Sequence, residues 1–361
     1  MTMPASPQNS LDRILIVRLS SLGDVMHTLP AAALLRAAFP GATIGWLIEE
    51  RWAELLCTLP TPRFGARSPQ RPLVDAVHTV NLKRWRSALL SSHTWERIAA
   101  GLSDLRAVGY QVAIDLQGAV RSAILARWSG APMIFGAAQP RENVASMIYT
   151  RKIMAQRAHV VERYCELAEA VTGQRRPIPN VTLPSDPLAE QAVNHRLRKL
   201  GIQDFAILNP GAGWGAKQWP IERYGELAKM LAVNGMQSII NYGPGEEALA
   251  KTAESASHGT ARGLSFPIGE LVALMRRTRL FIGGDTGPMH LAAALRVPVV
   301  ALFGPTDPAR NGPFATHSIV LRSRKSPTSL THRHNPDPGL LEISVPEVVA
   351  AAFRLLGSSG G

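Results

Sequence analysis

The stretch RILIVRL at residues 13–19 runs directly into Ser20-Ser21-Leu22-Gly23-Asp24-Val25-Met26-His27-Thr28-Leu29-Pro30, an apolar strand followed by a loop that opens a helix. Short β-branched runs alternating with helix-length segments mark parallel α/β architecture, in which both faces of the sheet are covered. Outward from this unit the first half predicts a helix to about Phe39, strands at 43–49 and 76–82, a helix around 94–108, a strand at 111–117 and helices over most of 119–173. Around 174–188 four prolines (Pro177, Pro179, Pro184, Pro187) force extended backbone and mark a linker. The cycle then restarts, with strands at 205–211, 237–243, 280–285 and 297–304 and helices from Ile221, Glu246, Gly269 and about Pro288. Two doubly wound domains are expected, over 1–180 and 181–340. The apolar periodicity of 345–357 predicts a terminal helix that packs back on the first domain.

Composition narrows the class. At 361 residues, with about 150 per domain as the usual size, the chain is long enough for two domains, and 46% hydrophobic residues supply real cores. Two cysteines, Cys57 and Cys165, give no cystine scaffold, so a reducing compartment is expected. The N-terminal MTMPASPQNSLDR lacks the basic and apolar regions of a signal peptide, and no apolar run reaches the ~18 residues of a membrane span, which together predict a cytoplasmic protein. The net charge of +12 calls for an anionic partner. Residues 1–180 hold 21 basic against 13 acidic side chains, and 181–361 hold 18 against 14, so the first half is the better candidate for the larger anion.

In open α/β sheets ligands bind beyond the carboxyl ends of strands, so the loops after strands carry the chemistry. Asp24 follows the first strand. Its carboxylate has two readings there: a helix N-cap, worth about 1 kcal/mol, or a general base for a substrate hydroxyl. His27, one turn on, reads as a packing or orienting residue. The loop has one glycine where a dinucleotide fingerprint needs three, which disfavours NAD. The loop 209–220 brings Gly211, Gly213 and Gly215 ahead of Lys217, either a phosphate cradle with a point charge or an ordinary glycine-rich turn. Gly283-Gly284-Asp285-Thr286-Gly287-Pro288-Met289-His290 joins a strand to a Pro-opened helix, whose free N–H groups favour a diphosphate. Glu247, after another strand, could accept from a ribose diol or simply lie solvated in a first helical turn. Lys83, Arg84 and Arg86 around Trp85, then Arg121, Arg141, Arg151 and Lys152, are candidate phosphate or carboxylate contacts or a solvated face, and Trp85 could stack on a sugar or fill core. His332-Arg333-His334 with Asp337 lacks Cys or Glu partners, and no metal is assigned.

Taken jointly, SSLGDVMHTLPA, the Lys217-Gln218-Trp219-Pro220 run and GGDTGPMHLAAAL followed by FGPTDP resemble the family 9 glycosyltransferases, the ADP-heptose:lipopolysaccharide heptosyltransferases, over about residues 13–310. SSLGDVMHTLP, LKRWR, AIDLQGAVRSA and RENVASMIYTRK are most similar to the heptosyltransferase I branch. The chain departs from that branch at Gly213-Trp214-Gly215-Ala216, where polar residues usually precede the loop lysine.

The resemblance implies a GT-B fold, two Rossmann-like domains facing an interdomain cleft, with the acceptor on the first domain and the nucleotide-sugar on the second. It implies an inverting transfer of heptose from ADP-heptose to the Kdo region of lipid A, with Asp24 as base and Lys217 stabilising the departing phosphate. Gly213, Glu247, Asp285, Thr286, Gly287 and His290 would hold the donor; Ser21, Gly23, Lys83, Arg84, Arg121 and Arg141 would hold the acceptor. No metal or other cofactor is expected. A monomer, peripheral at the anionic cytoplasmic face of the inner membrane and without affinity for nucleic acid, completes the expectation. The alternatives are a relative adding the second heptose or another sugar, an NAD-dependent oxidoreductase, and a nucleic-acid-binding module suggested by charge alone.

Overall fold

The computed structural model describes residues 11–88, 91–329 and 335–357. They form two units: residues 11–157 with 161–185, and residues 158–160 with 186–357. The boundary at 185/186 falls inside the Pro-rich stretch, where Asp186 caps the helix that follows by accepting from the Leu188 and Ala189 N–H groups, with Pro187 at its first position.

Unit 1 runs β1 (Arg13–Val17), α1 (Leu22–Ala38), β2 (Thr43–Glu49), β3 (Ala76–Val80), α2 (Leu82–Ser87), α3 (Ser92–Ala107), β4 (Val112–Asp115), α4 (Val120–Trp128), β5 (Met133–Ala137), β6 (Arg151–Ile153) and α5 (Val160–Thr172). Its six strands are all parallel, in the order β3-β2-β1-β4-β5-β6. Unit 2 runs α6 (Pro187–Lys199), β7 (Phe205–Asn209), α7 (Ile221–Val233), β8 (Gln237–Asn241), α8 (Glu247–Ala256), β9 (Ala261–Leu264), α9 (Ile268–Met275), β10 (Leu280–Gly284), α10 (Gly287–Ala294), β11 (Val299–Leu302), α11 (Pro308–Asn311), β12 (Ser318–Leu321), α12 (Pro338–Glu342) and α13 (Val345–Gly357). Its sheet order, β12-β11-β10-β7-β8-β9, is also all parallel and repeats the topology of the first.

In both sheets the chain starts in the middle, winds outward one way and then the other. The switch point lies between β1 and β4 in unit 1 and between β7 and β10 in unit 2. At such a point the adjacent loops leave in opposite directions and open a crevice at the strands' carboxyl ends. The central strands are buried on both faces, as Ile14, Leu15, Ile16 and Val17 are in β1 and Phe205, Ala206, Ile207 and Leu208 are in β7. That burial explains why they read as unbroken apolar runs.

Three expectations are corrected. Residues 119–173 are not mostly helical, because β5 and β6 complete the sheet between α4 and α5. The strands β9 and β12, absent from the sequence reading, lie at the two edges of the second sheet. The terminal helix α13 packs within unit 2, against α7, β10, β11 and β12, not on the first domain. Val345, Val348, Ala351, Ala352 and Leu355 join the core formed by Leu208, Trp219, Leu227, Ile282 and Val300. The chain's approach is pinned just upstream, where the Trp219 indole N–H donates to the Ile343 carbonyl at 2.9 Å.

Unit 1 buries a titratable pair beneath its sheet. His78 Nε2 and the Tyr110 hydroxyl lie 2.8 Å apart, the Tyr110 ring fits over Gly45, and the edge of Phe64 closes the site. Burial pushes the His78 imidazole down to about 4 and the Tyr110 phenol up. Between that value and the ordinary 6.5 the unfolded chain binds a proton that the folded chain excludes, so stability falls as pH drops from about 6.5 to about 4. The full loss is about 3 kcal/mol. His78→Gln, which does not titrate, is expected to flatten this acid limb of the melting temperature; superimposable limbs for the two proteins would show that the ring is not held neutral.

Candidate active site

The β1 loop is built around a buried cation that the sequence reading passed over. Arg18, its side chain only 4% exposed, pairs with Asp24 at 2.5 Å (Nη2 to Oδ1). Its Nη1 donates to the Leu116 carbonyl after β4, and its guanidinium lies 5.2 Å from the centre of the Tyr164 ring. Burial alone would lower the Arg18 pKa; Tyr164, Asp24 and Asp115 outweigh it and leave it raised, so the cation is permanent. A charge at the end of an apolar strand run must be paired to be tolerated, which signals a partner without saying where it lies.

Asp24 is not the N-cap. Ser21 holds that place at the head of α1, and Asp24 stands three residues on, its Oδ2 accepting from the Ser21 N–H at 3.0 Å and the Ser21 hydroxyl at 3.1 Å. Capping and chemistry are therefore compatible. A carboxylate offers about four lone pairs; the Ser21 amide, the Ser21 hydroxyl and Arg18 take three, and the side chain remains 36% exposed. One acceptor position is left for an outside hydroxyl. Ser21 itself is spent on Asp24, and Gly23 and His27 are buried in α1.

The other first-unit candidates divide. Arg121 lies half-buried in the first turn of α4 with its Nε unpartnered among the described residues. The loop carrying Arg141 is bonded to the loop before α4, since the Glu142 N–H donates to the Gly118 carbonyl at 2.9 Å and the Glu142 carboxylate accepts the Val120 N–H at 2.8 Å. Gly118 is required there: its φ is +69°, and a Cβ would stand 3.0 Å from the Arg141 nitrogen. Arg18 after β1, Asp24 at the head of α1, Arg121 at the head of α4 and Arg141 after β5 thus lie beyond the carboxyl ends of the neighbouring strands β1, β4 and β5. Lys83 and Arg84 lie elsewhere, exposed on α2 after the edge strand β3, while Trp85 packs against the core.

Unit 2 assembles a second cluster at the β7/β10 switch point. Lys217 Nζ donates to Asp285 Oδ2 at 2.6 Å and to the Asp285 carbonyl at 3.3 Å, and lies 5.1 Å from the Trp214 ring centre. Asp285 Oδ1 meets His290 Nε2 at 3.0 Å. Burial would raise the Asp285 carboxyl, but the hydrogen bond and charge of His290 and then the Lys217 ammonium hold it well below the usual carboxylate range. An ammonium has three N–H donors, and Asp285 uses two, so Lys217 is oriented by its partner and keeps one donor free. Thr286 stands at the head of α10 with its hydroxyl donating to the Gly284 carbonyl at 3.3 Å, and Gly287 and Pro288 form the first turn. Gly284 permits the loops to close up, since a Cβ there would stand 3.0 Å from the Lys217 carbonyl.

Gly213 is exposed with open space beside it. Glu247, also exposed, accepts from the Gly245 N–H at 3.2 Å, and hydrogen bonds from its own and the Gly245 amide lower its pKa. The neighbouring Glu246, expected from the sequence only as the start of a helix, accepts from the Gly243 N–H at 2.8 Å, and its carboxylate lies over Gly211 so closely that a Cβ there would stand 2.3 Å from it. Asp337 caps α12 by accepting from the Gly339 N–H, and its own N–H donates to the Ala216 carbonyl beside Lys217. His332, Arg333 and His334 lie outside the described residues.

Residues 98–339 match the sequence profile of glycosyltransferase family 9 (heptosyltransferase). The chain belongs to glycosyltransferase family 9. It is 31% identical over 327 residues to lipopolysaccharide heptosyltransferase 1 of Pseudomonas aeruginosa, covering 86% of this chain and 84% of that one. It is 30% identical over 315 residues to the protein of the same name from Escherichia coli K12, covering 86% and 93%. Among solved structures it is similar to E. coli heptosyltransferase WaaC with ADP-2-deoxy-2-fluoro heptose, with a TM-score of 0.73, 28% identity and coverage of 95% of this chain and 99% of that one. As a family 9 heptosyltransferase the chain is a transferase of lipopolysaccharide biosynthesis with two Rossmann-like units of the GT-B type, and the nicotinamide and nucleic-acid readings fall.

Proposed function

We propose that this family 9 enzyme transfers heptose from ADP-heptose to a Kdo hydroxyl of lipid A, with inversion at the anomeric carbon. The observation that carries the reading is the Lys217–Asp285–His290 cluster, a lysine held by a buried carboxylate with one donor to spare, at the switch point of a Rossmann-like sheet. Its free N–H and the amides opening α10 suit the diphosphate. Glu247 suits the ribose diol, and Gly213, Thr286 and Gly287 suit the phosphates by backbone approach. Charge grows on the diphosphate as the anomeric C–O bond breaks, and donors fixed in advance stabilise that charge most in the transition state. The reading asks for no metal ion.

In unit 1, Asp24 accepts the proton of the acceptor hydroxyl as its oxygen attacks the anomeric carbon, and ADP departs with the electron pair of the broken bond. Arg18 is a positioning residue that holds the Asp24 carboxylate through its Oδ1. Arg121, Arg141, Lys83 and Arg84 supply cations for acceptor phosphates and carboxylates. Incubating the purified protein with ADP-heptose and Kdo-lipid A should add one heptose increment by mass spectrometry. An increment appearing only on an acceptor that already carries heptose would overturn the choice of acceptor.

A further inference from the structure

We propose that the segment from Arg141 to Met154 of unit 1 is a docking surface for an anionic lipid bilayer. The inference rests on the reading above, which gives the enzyme an acyl-anchored acceptor.

The segment contains a 3-10 turn over Asn143–Met147 and the edge strand β6. In a 3-10 turn, side chains three apart eclipse one another. Ala145 is fully buried and Ile148 packs on the core, so one line of the turn faces inward. The next line, Val144 and Met147, faces out, at 58% and 80% exposure. Met154, just past β6, is 58% exposed. The same segment carries the exposed cations Arg141, Arg151 and Lys152. The one acidic residue of the segment, Glu142, is occupied by the Val120 N–H.

A charged edge strand commonly guards a sheet against pairing with another chain, which would account for Arg151 and Lys152. It does not account for three large apolar side chains left in water in the same segment. Apolar groups at headgroup depth flanked by cations are what an anionic interface selects, the first for burial and the second for charge. The segment is firmly held for such a task. The Tyr149 hydroxyl donates to Asp115 at 2.7 Å, its ring lies over Gly136, and the Ala138 N–H donates to the Ile153 carbonyl at 2.8 Å. No described helix is long and apolar enough to cross a membrane, so attachment would be to the surface.

The test compares the full-length protein with the triple variant Val144→Ser, Met147→Ser, Met154→Ser. The wild type is expected to co-sediment with phosphatidylethanolamine–phosphatidylglycerol vesicles and much less with phosphatidylcholine vesicles. The variant should partition about tenfold more weakly or worse onto the anionic vesicles. Its melting temperature and its turnover of an acyl-free, water-soluble Kdo acceptor should be unchanged. Equal partitioning of variant and wild type, or no wild-type preference for anionic vesicles, overturns the proposal. So does a drop in solution mass in the variant, which would make the patch a contact between copies of the chain. Failure of both proteins on the soluble acceptor would count against the acceptor reading alone, since the vesicle comparison does not depend on turnover.

Discussion

Asp24→Asn is expected to lower kcat by about 10²- to 10⁴-fold while leaving ADP-heptose binding close to that of the parent. The amide is nearly isosteric and its oxygen can still accept from Ser21, so the head of α1 keeps its geometry. What disappears is the acceptor of the hydroxyl proton and the negative charge opposite Arg18. That cation is buried, and an unpaired buried charge is costly, so a stability loss of about 1–3 kcal/mol accompanies the catalytic one. The two separate cleanly: turnover measured well below the melting temperature reports the chemistry, and calorimetric titration with ADP-heptose reports donor binding. A variant turning over near the parent rate would remove Asp24 as the base.

Lys217→Ala should be the second most damaging change, with kcat/KM down about 10²- to 10³-fold, the usual loss when one fixed donor to a developing oxyanion is removed. It also strands Asp285, whose carboxylate is buried and would keep only His290. Breaking one side of a buried pair typically costs about 3–5 kcal/mol, so the melting temperature should fall as well. Lys217→Ala combined with Asp285→Asn separates the effects. The double variant removes the stranded charge and should recover much of the stability, whereas turnover should stay low because no ammonium remains. Recovery of both together would reduce Lys217 to a structural partner of Asp285.

Much of this was legible in the chain, for identifiable reasons. Strands in the middle of a parallel sheet are buried on both sides, so β1, β2, β7 and β10 stand out as apolar runs, and their loops had to carry the site. Edge strands are half in water. β6 (RKI), β9 (ARGL) and β12 (SIVL) are three or four residues long and carry little of that signature. The apolar stripe of α13 announces that it must dock but carries no address; only the fold shows that the second sheet lacked cover there. Asp24, Lys217, Asp285 and His290 were singled out because they follow strands. The Arg18–Asp24 pair was not, because an arginine at the end of an apolar run says nothing of where its head group goes, and neither does a glutamate, as Glu246 over Gly211 shows.

The tie between the Lys217 loop and the last helices has a consequence for biosynthesis. Trp219 is bonded to Ile343 and Ala216 to Asp337, and α13 closes the core beneath them. Domains generally fold as units as the chain emerges, the earlier one first. Here the second unit cannot close its core until α13 has been made, so a chain cut short before Val345 is expected to keep a finished first unit and a second unit that stays open.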